Sequence, residues 1–219
     1  MRRSPILSSV IDSGPSGSKS SILSGTYVLS QEPGKERPTF HSVNGALSSL
    51  PRPDLLVLST SSGPASPMTN SLTVSPYPAH PGAAIRAHFV VDTEPSEPGW
   101  HPWIGGLWSK WVRGTILGYR DFAGREAKVR HYHLEGAVSV PKYLCWQPGT
   151  YDALSHLSFE PLPSPGSSGG PIVDEESGAV VGIVLGSRMD NRVEGMRGWG
   201  VPAEMIYEVR PDLVLRFML

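Results

Sequence analysis

The stretch Gly166-Ser167-Ser168-Gly169-Gly170-Pro171 has residue types that can do chemistry within a few positions of one another. A serine between glycines can sit on a tight turn where backbone N–H groups converge, which is what a developing oxyanion requires. Ser168 is therefore the candidate nucleophile, and the N–H groups of Gly166 and Ser168 are the candidate oxyanion hole. Gly166 has no side chain to stop the backbone turning inward, and Gly169 and Gly170 let it pass close to neighbouring backbone.

The spacing of Gly166, Ser168 and Gly170 also fits G-x-S-x-G, the α/β-hydrolase elbow in which a helix follows the serine and the histidine comes last. The residues downstream do not fit. Pro171-Ile172-Val173-Asp174, Glu175-Glu176-Ser177-Gly178 and Ala179-Val180-Val181-Gly182-Ile183-Val184-Leu185 read as strand, turn and strand. No histidine follows His156, so the order serine, acid, histidine cannot be completed. The order that remains is histidine, acid, serine.

In that order a family resemblance becomes specific. Ser168-Gly169-Gly170-Pro171 followed by Gly182-Ile183-Val184-Leu185-Gly186-Ser187 resembles the nucleophile loop and pocket strand of trypsin-like serine proteases, nearest to the high-temperature-requirement type. Asp54-Leu55-Leu56-Val57-Leu58 is similar to the segment in which that family carries its catalytic aspartate. Gly198-Trp199-Gly200-Val201-Pro202 resembles the family's last strand. The motifs recur in the right order over roughly residues 50 to 210.

The resemblance implies an all-β chymotrypsin-like fold of two six-stranded antiparallel barrels with a short C-terminal helix, the first barrel being incomplete. It implies a serine endopeptidase that needs no cofactor and no metal and acts on a peptide or protein substrate. Asp54 then orients and stabilises the imidazolium; its plainer use is as a turn aspartate ahead of an apolar strand. Leu162 lies at the base of an apolar specificity pocket, and Leu185, Gly186 and Ser187 pair with the substrate backbone as an added strand. Ser167 stands where trypsins carry an aspartate, which implies that there is no zymogen activation of that kind.

Chain order makes His41 the candidate general base, since no other histidine precedes Asp54. The interval from His41 to Asp54 barely holds the strand pair the family places there. The family's T-x-x-H or A-A-H segment is missing from residues 1 to 40, so either the base lies upstream of Met1 or the protein has lost it. In the second case the chain is a catalytically inactive homologue that uses the same groove to bind a peptide or protein.

Composition agrees with this class without proposing it. The 219 residues suffice for one domain or two compact halves, and the 24 Gly and 22 Pro punctuate short Val, Ile and Leu runs as in an all-β barrel. A formal charge of −1 without a basic run argues against a nucleic-acid partner. No run of about 18 apolar residues exists to span a membrane. The apolar core expected after Met1-Arg2-Arg3 is broken by serines and Asp12, and Cys145 is alone, so the expectation is an intracellular protein.

Residues 1–20 read as a loop-rich segment, 21–93 as the first barrel, 94–107 as a linker rich in proline and glycine, and 108–219 as the second barrel. Within the first barrel, Asn44-Gly45 is the turn signal of a hairpin over Thr39 to Leu50, and Ala83 to Asp92 is the closing strand. Residues 129–147 interrupt the second barrel and hold His131, His133 and Cys145. A fourth metal ligand is missing there, so the segment reads as a variable loop or as retained intron sequence.

Overall fold

The computed structural model describes residues 26–30, 39–51, 54–60, 71–121, 124–127, 155–191, 195–205 and 216–218. The segments 1–20 and 129–147 lie outside these residues.

The protein is all-β, built around one closed antiparallel barrel of six strands. These are β5 (Ala84–Val91), β7 (Trp108–Arg120), β9 (His156–Glu160), β10 (Pro171–Asp174), β11 (Val180–Asn191) and β12 (Gly195–Pro202). Hydrogen bonding runs in the order β5, β10, β11, β12, β9, β7, and β7 pairs back to β5 along Ala84 to Val91, which closes the ring. The short strands β6 (His101–Pro102) and β8 (Glu126–Ala127) attach to β7.

Alternation along each strand points Ile85, Ala87 and Phe89 inward from β5 and Leu157 and Phe159 inward from β9. They meet Ile116, Ile172, Val181 and Val184 in one apolar core. The Phe159 ring needs a bare position beside it on the neighbouring strand, where Gly198 is its cross-strand partner. A side chain at Gly198 would meet the Phe159 ring at 2.7 Å. Trp199 and Arg197, on either side of Gly198, point to the other face of β12.

A three-stranded sheet of β1 (Tyr27–Ser30), β2 (Thr39–Leu50) and β3 (Leu55–Thr60) stands beside the barrel. Leu55 and Val57 of β3, with Leu72 of β4 (Ser71–Thr73), pack on a second cluster of Val74, Val173, Val180, Ile183 and Ala203. The alternate residues of β3, Leu56 and Leu58, are exposed. Strand β13 (Arg216–Met218) pairs with β4.

Four expectations change. Thr39–Leu50 is one twelve-residue strand, not a hairpin about Asn44-Gly45. Its pairing shifts between Val43 and Gly45, so Asn44 is absorbed as the extra residue of a bulge. The strand expected to close a first barrel, Ala84–Val91, is instead the seam of the closed barrel, between β10 and β7. Residues 94–107 therefore join two neighbouring strands of one sheet, and they contain β6 and a 3₁₀ turn over Ile104–Gly106. One closed barrel is present among the described residues, not two. The expected C-terminal helix is not shown among the described residues; Glu204 and Met205 are helical positions, and 206–215 lie outside the described residues. No helix among the described residues is long and apolar enough to cross a membrane.

Candidate functional site

Two consecutive turns shape the loop around Ser168. The Ser167 N–H donates to the Ser164 carbonyl at 3.1 Å, closing Ser164-Pro165-Gly166-Ser167. Proline suits the second position of such a turn and glycine the third, where Gly166 has φ 97°. The Gly170 N–H then donates to the Ser167 carbonyl at 3.0 Å, and Gly169 holds the same third position at φ 88°. Ser168 occupies the exposed second corner.

The loop is fixed on two sides. Toward β11, the Gly169 N–H donates to the Val184 carbonyl and the Val184 N–H to the Gly170 carbonyl, each at 2.8 Å. Toward β5, buried Ser167 does the anchoring. Its Oγ accepts the Val90 N–H at 3.0 Å and lies 2.9 Å from Ser164 Oγ, which donates to the Val90 carbonyl at 3.2 Å. With Ser167 donating to Ser164, every polar group in this ring is satisfied. Gly170 runs so close to the His88 carbonyl that a side chain there would collide with it.

After these bonds, the N–H groups of Gly166 and Ser168 are among those of the loop that have no intramolecular acceptor among the described residues. They are the pair expected as an oxyanion hole. Beyond Val184, the β11 edge that faces the loop is also unpaired among the described residues, while β12 covers the opposite edge as far as Asn191. This free edge begins at Leu185 and continues through Gly186, at φ 150° in a bulge, and exposed Ser187. Leu162 is exposed in the same loop.

The other expected site residues are placed elsewhere. Asp54 is exposed in the turn between β2 and β3 with φ 56°, a conformation aspartate tolerates better than most residues. His41 is buried near the start of β2. Leu50 pairs with Leu55 beside the turn that holds Asp54, and His41 lies nine residues, or on the order of 30 Å of extended chain, up the strand from Leu50. Among the described residues, no hydrogen bond or ion pair connects Ser168, Asp54 and His41. His41 lies near the start of β2 and Asp54 just past its end, and no hydrogen bond of the described residues brings either to Ser168.

Other histidines are engaged. His88, its pKa lowered by burial, packs between Trp103 and Trp111 with ring centroids at 5.2 and 5.0 Å. His156 stacks on Trp199 at 4.9 Å and 27°. Burial first, and then the nearby Arg188 charge, lower its pKa. The Arg188 guanidinium lies 4.8 Å from the centre of the Trp199 ring. Sequence reading missed this row, since the three residues come from separate strands. Among the described residues no group of three or more His, Cys, Asp or Glu is placed to hold a metal; His131, His133 and Cys145 are outside them.

The closed barrel and near absence of helix are compatible with a chymotrypsin-like fold. No model of a known protein family matches the chain, and no curated protein matches it.

Proposed function

We propose that the protein is a trypsin-like serine endopeptidase that takes peptides in extended form along β11 and cleaves them through an acyl-enzyme on Ser168. The observation that carries this reading is the pair of unengaged amides at Gly166 and Ser168, on a loop fixed from both sides and beside a free strand edge. Ser168 Oγ attacks the scissile carbonyl, and the two N–H groups take up the oxyanion charge. The C–N bond then breaks, the amine leaves with a proton, and water releases the acyl group. Leu162 and Leu185 favour small or aliphatic side chains before the scissile bond.

In this reading the three-stranded sheet is a partial first barrel. Exposed Leu56 and Leu58 support that, as apolar residues left uncovered on alternate positions of β3. Glu204 and Met205 begin the family's C-terminal helix.

The separation of His41 from Asp54 favours a second reading, a trypsin-fold protein that binds peptides in this groove without cleaving them. Losing the base histidine costs about as much rate as losing the whole triad. A fluorophosphonate probe separates the two. Labelling that Ser168→Ala abolishes supports the endopeptidase; equal labelling of both proteins removes Ser168 as nucleophile. A silent wild type that still binds peptide supports the second reading.

A further inference from the structure

The free edge of β11 does not end in neutral surface. Arg188 follows Ser187 on that edge, is exposed, and is held over the Trp199 ring, which the His156 stack holds in turn. Arg188 has no carboxylate partner among the described residues. The acid on the neighbouring turn is already used: Asp121 accepts the Arg125 N–H and the Arg125 Nε, each at 2.8 Å. Gly124 of that turn lies close beneath the Arg188 guanidinium.

A second positive charge sits directly opposite, since Arg188 and Arg197 are cross-strand partners. Another cross-strand arginine pair of the barrel, Arg86 and Arg113, shows what suits such a position: the two share Glu175, each Nε lying 3.0 Å from the same carboxylate oxygen.

We propose that Arg188, presented on the face of Trp199, recognises an acidic side chain of the bound peptide about three to four residues before the scissile bond. This rests on the reading that the peptide adds to β11 as an antiparallel strand. The register follows from the loop: Val184 is bonded to Gly169 and Gly170, so the scissile bond lies at the Leu185 end of the edge. Each step from Leu185 toward Arg188 moves one residue toward the peptide's N-terminus. A guanidinium held by a ring keeps its five donors in a fixed fork and loses little freedom on meeting a carboxylate.

The test uses short fluorescein-labelled peptides that differ only in carrying Glu, Gln or Lys two to five positions before an apolar residue. Anisotropy with the full-length Ser168→Ala protein reports affinity without any cleavage. The expected result is about three- to tenfold tighter binding of the Glu peptide than the Gln peptide at position three or four, with Lys weakest. Arg188→Gln removes the preference, Arg188→Lys keeps part of it, and Arg86→Gln leaves it unchanged. Equal binding of the three peptides, no binding of any, or a preference that survives in Arg188→Gln overturns the proposal. Hydrolysis by the wild type, measured in parallel, keeps the two readings separate: acid preference without cleavage retains Arg188 and removes the endopeptidase, and cleavage without preference does the reverse.

Discussion

The backbone N–H of Val90 donates to the buried hydroxyl of Ser167 at 3.0 Å, across 77 residues of chain. Beyond the end of β10, a side chain thus takes over the bonding that a strand partner would supply to β5. The residue just before the candidate nucleophile is in this way a structural anchor.

Ser167→Ala leaves the Val90 N–H buried without an acceptor and breaks the ring through Ser164. A loss of about 1–3 kcal/mol is expected in urea unfolding. Ser168→Ala, by contrast, removes an exposed hydroxyl that has no hydrogen bond among the described residues and should stay within about 0.5 kcal/mol of the wild type. Equal costs for the two would show that the ring does not hold the loop.

Gly170→Ala should be among the most damaging single changes in the barrel. Its methyl group meets the His88 carbonyl, a backbone atom that cannot swing aside. Loss of soluble, folded protein or a cost above about 3 kcal/mol is expected. Gly45→Ala is the control, because open space surrounds that position. A Gly170→Ala protein with wild-type melting behaviour would contradict the close approach of loop and strand.

Glu204 gives stability a pH slope. Its side chain is buried, neither carboxylate oxygen has a side-chain hydrogen-bond partner among the described residues, and burial pushes its pKa from 4.5 up to about 8. The folded state therefore holds a proton that the unfolded state releases above 4.5, so stability falls as pH rises from 4.5 to about 8 and levels off beyond. Glu204→Gln stays neutral and lacks this slope. The variant's melting temperature should pass that of the wild type as pH rises through this window, by about 2–4 °C for each kcal/mol regained. Parallel curves for the two proteins from pH 4 to 9 would rule out Glu204 as the source.

Tyr119 reports on the same place. Burial first, and then the Glu204 charge, raise its hydroxyl pKa, and it donates to the Ala79 carbonyl at 2.9 Å. Tyr119→Phe leaves that buried carbonyl short of a donor, with an expected cost of about 1–2 kcal/mol. Ultraviolet titration of the wild type should show one tyrosine ionising only as the protein unfolds; absence of such a group would place Tyr119 in solvent.

Local features were the legible ones. The turns around Ser168 and the run from Pro171 through Leu185 are written in neighbouring residues, Pro165-Gly166 and Ser168-Gly169 above all, and they form where expected. Long-range pairing was not legible. The apolar residues of Ala84–Val91 suit either barrel, and nothing near them says that β10 and β7 are the partners. Asn44-Gly45 shows the opposite failure, a strong local turn signal overridden when β3 pairs with β2 along its length. The row of His156, Trp199 and Arg188 needed the sheet register before its members could be seen as neighbours.

The seating of one loop on both Val90 and Val184 also sets a clock. During synthesis, β5 leaves the ribosome long before the serine does, and pairings across such separations form slowly compared with local turns. Until β5, β10 and β11 have met, the loop lacks half its anchors and the free edge of β11 does not exist. A nascent chain thus carries Ser168 on an unanchored turn. On the proposed reading, any reactivity at Ser168 would begin only when the barrel shuts.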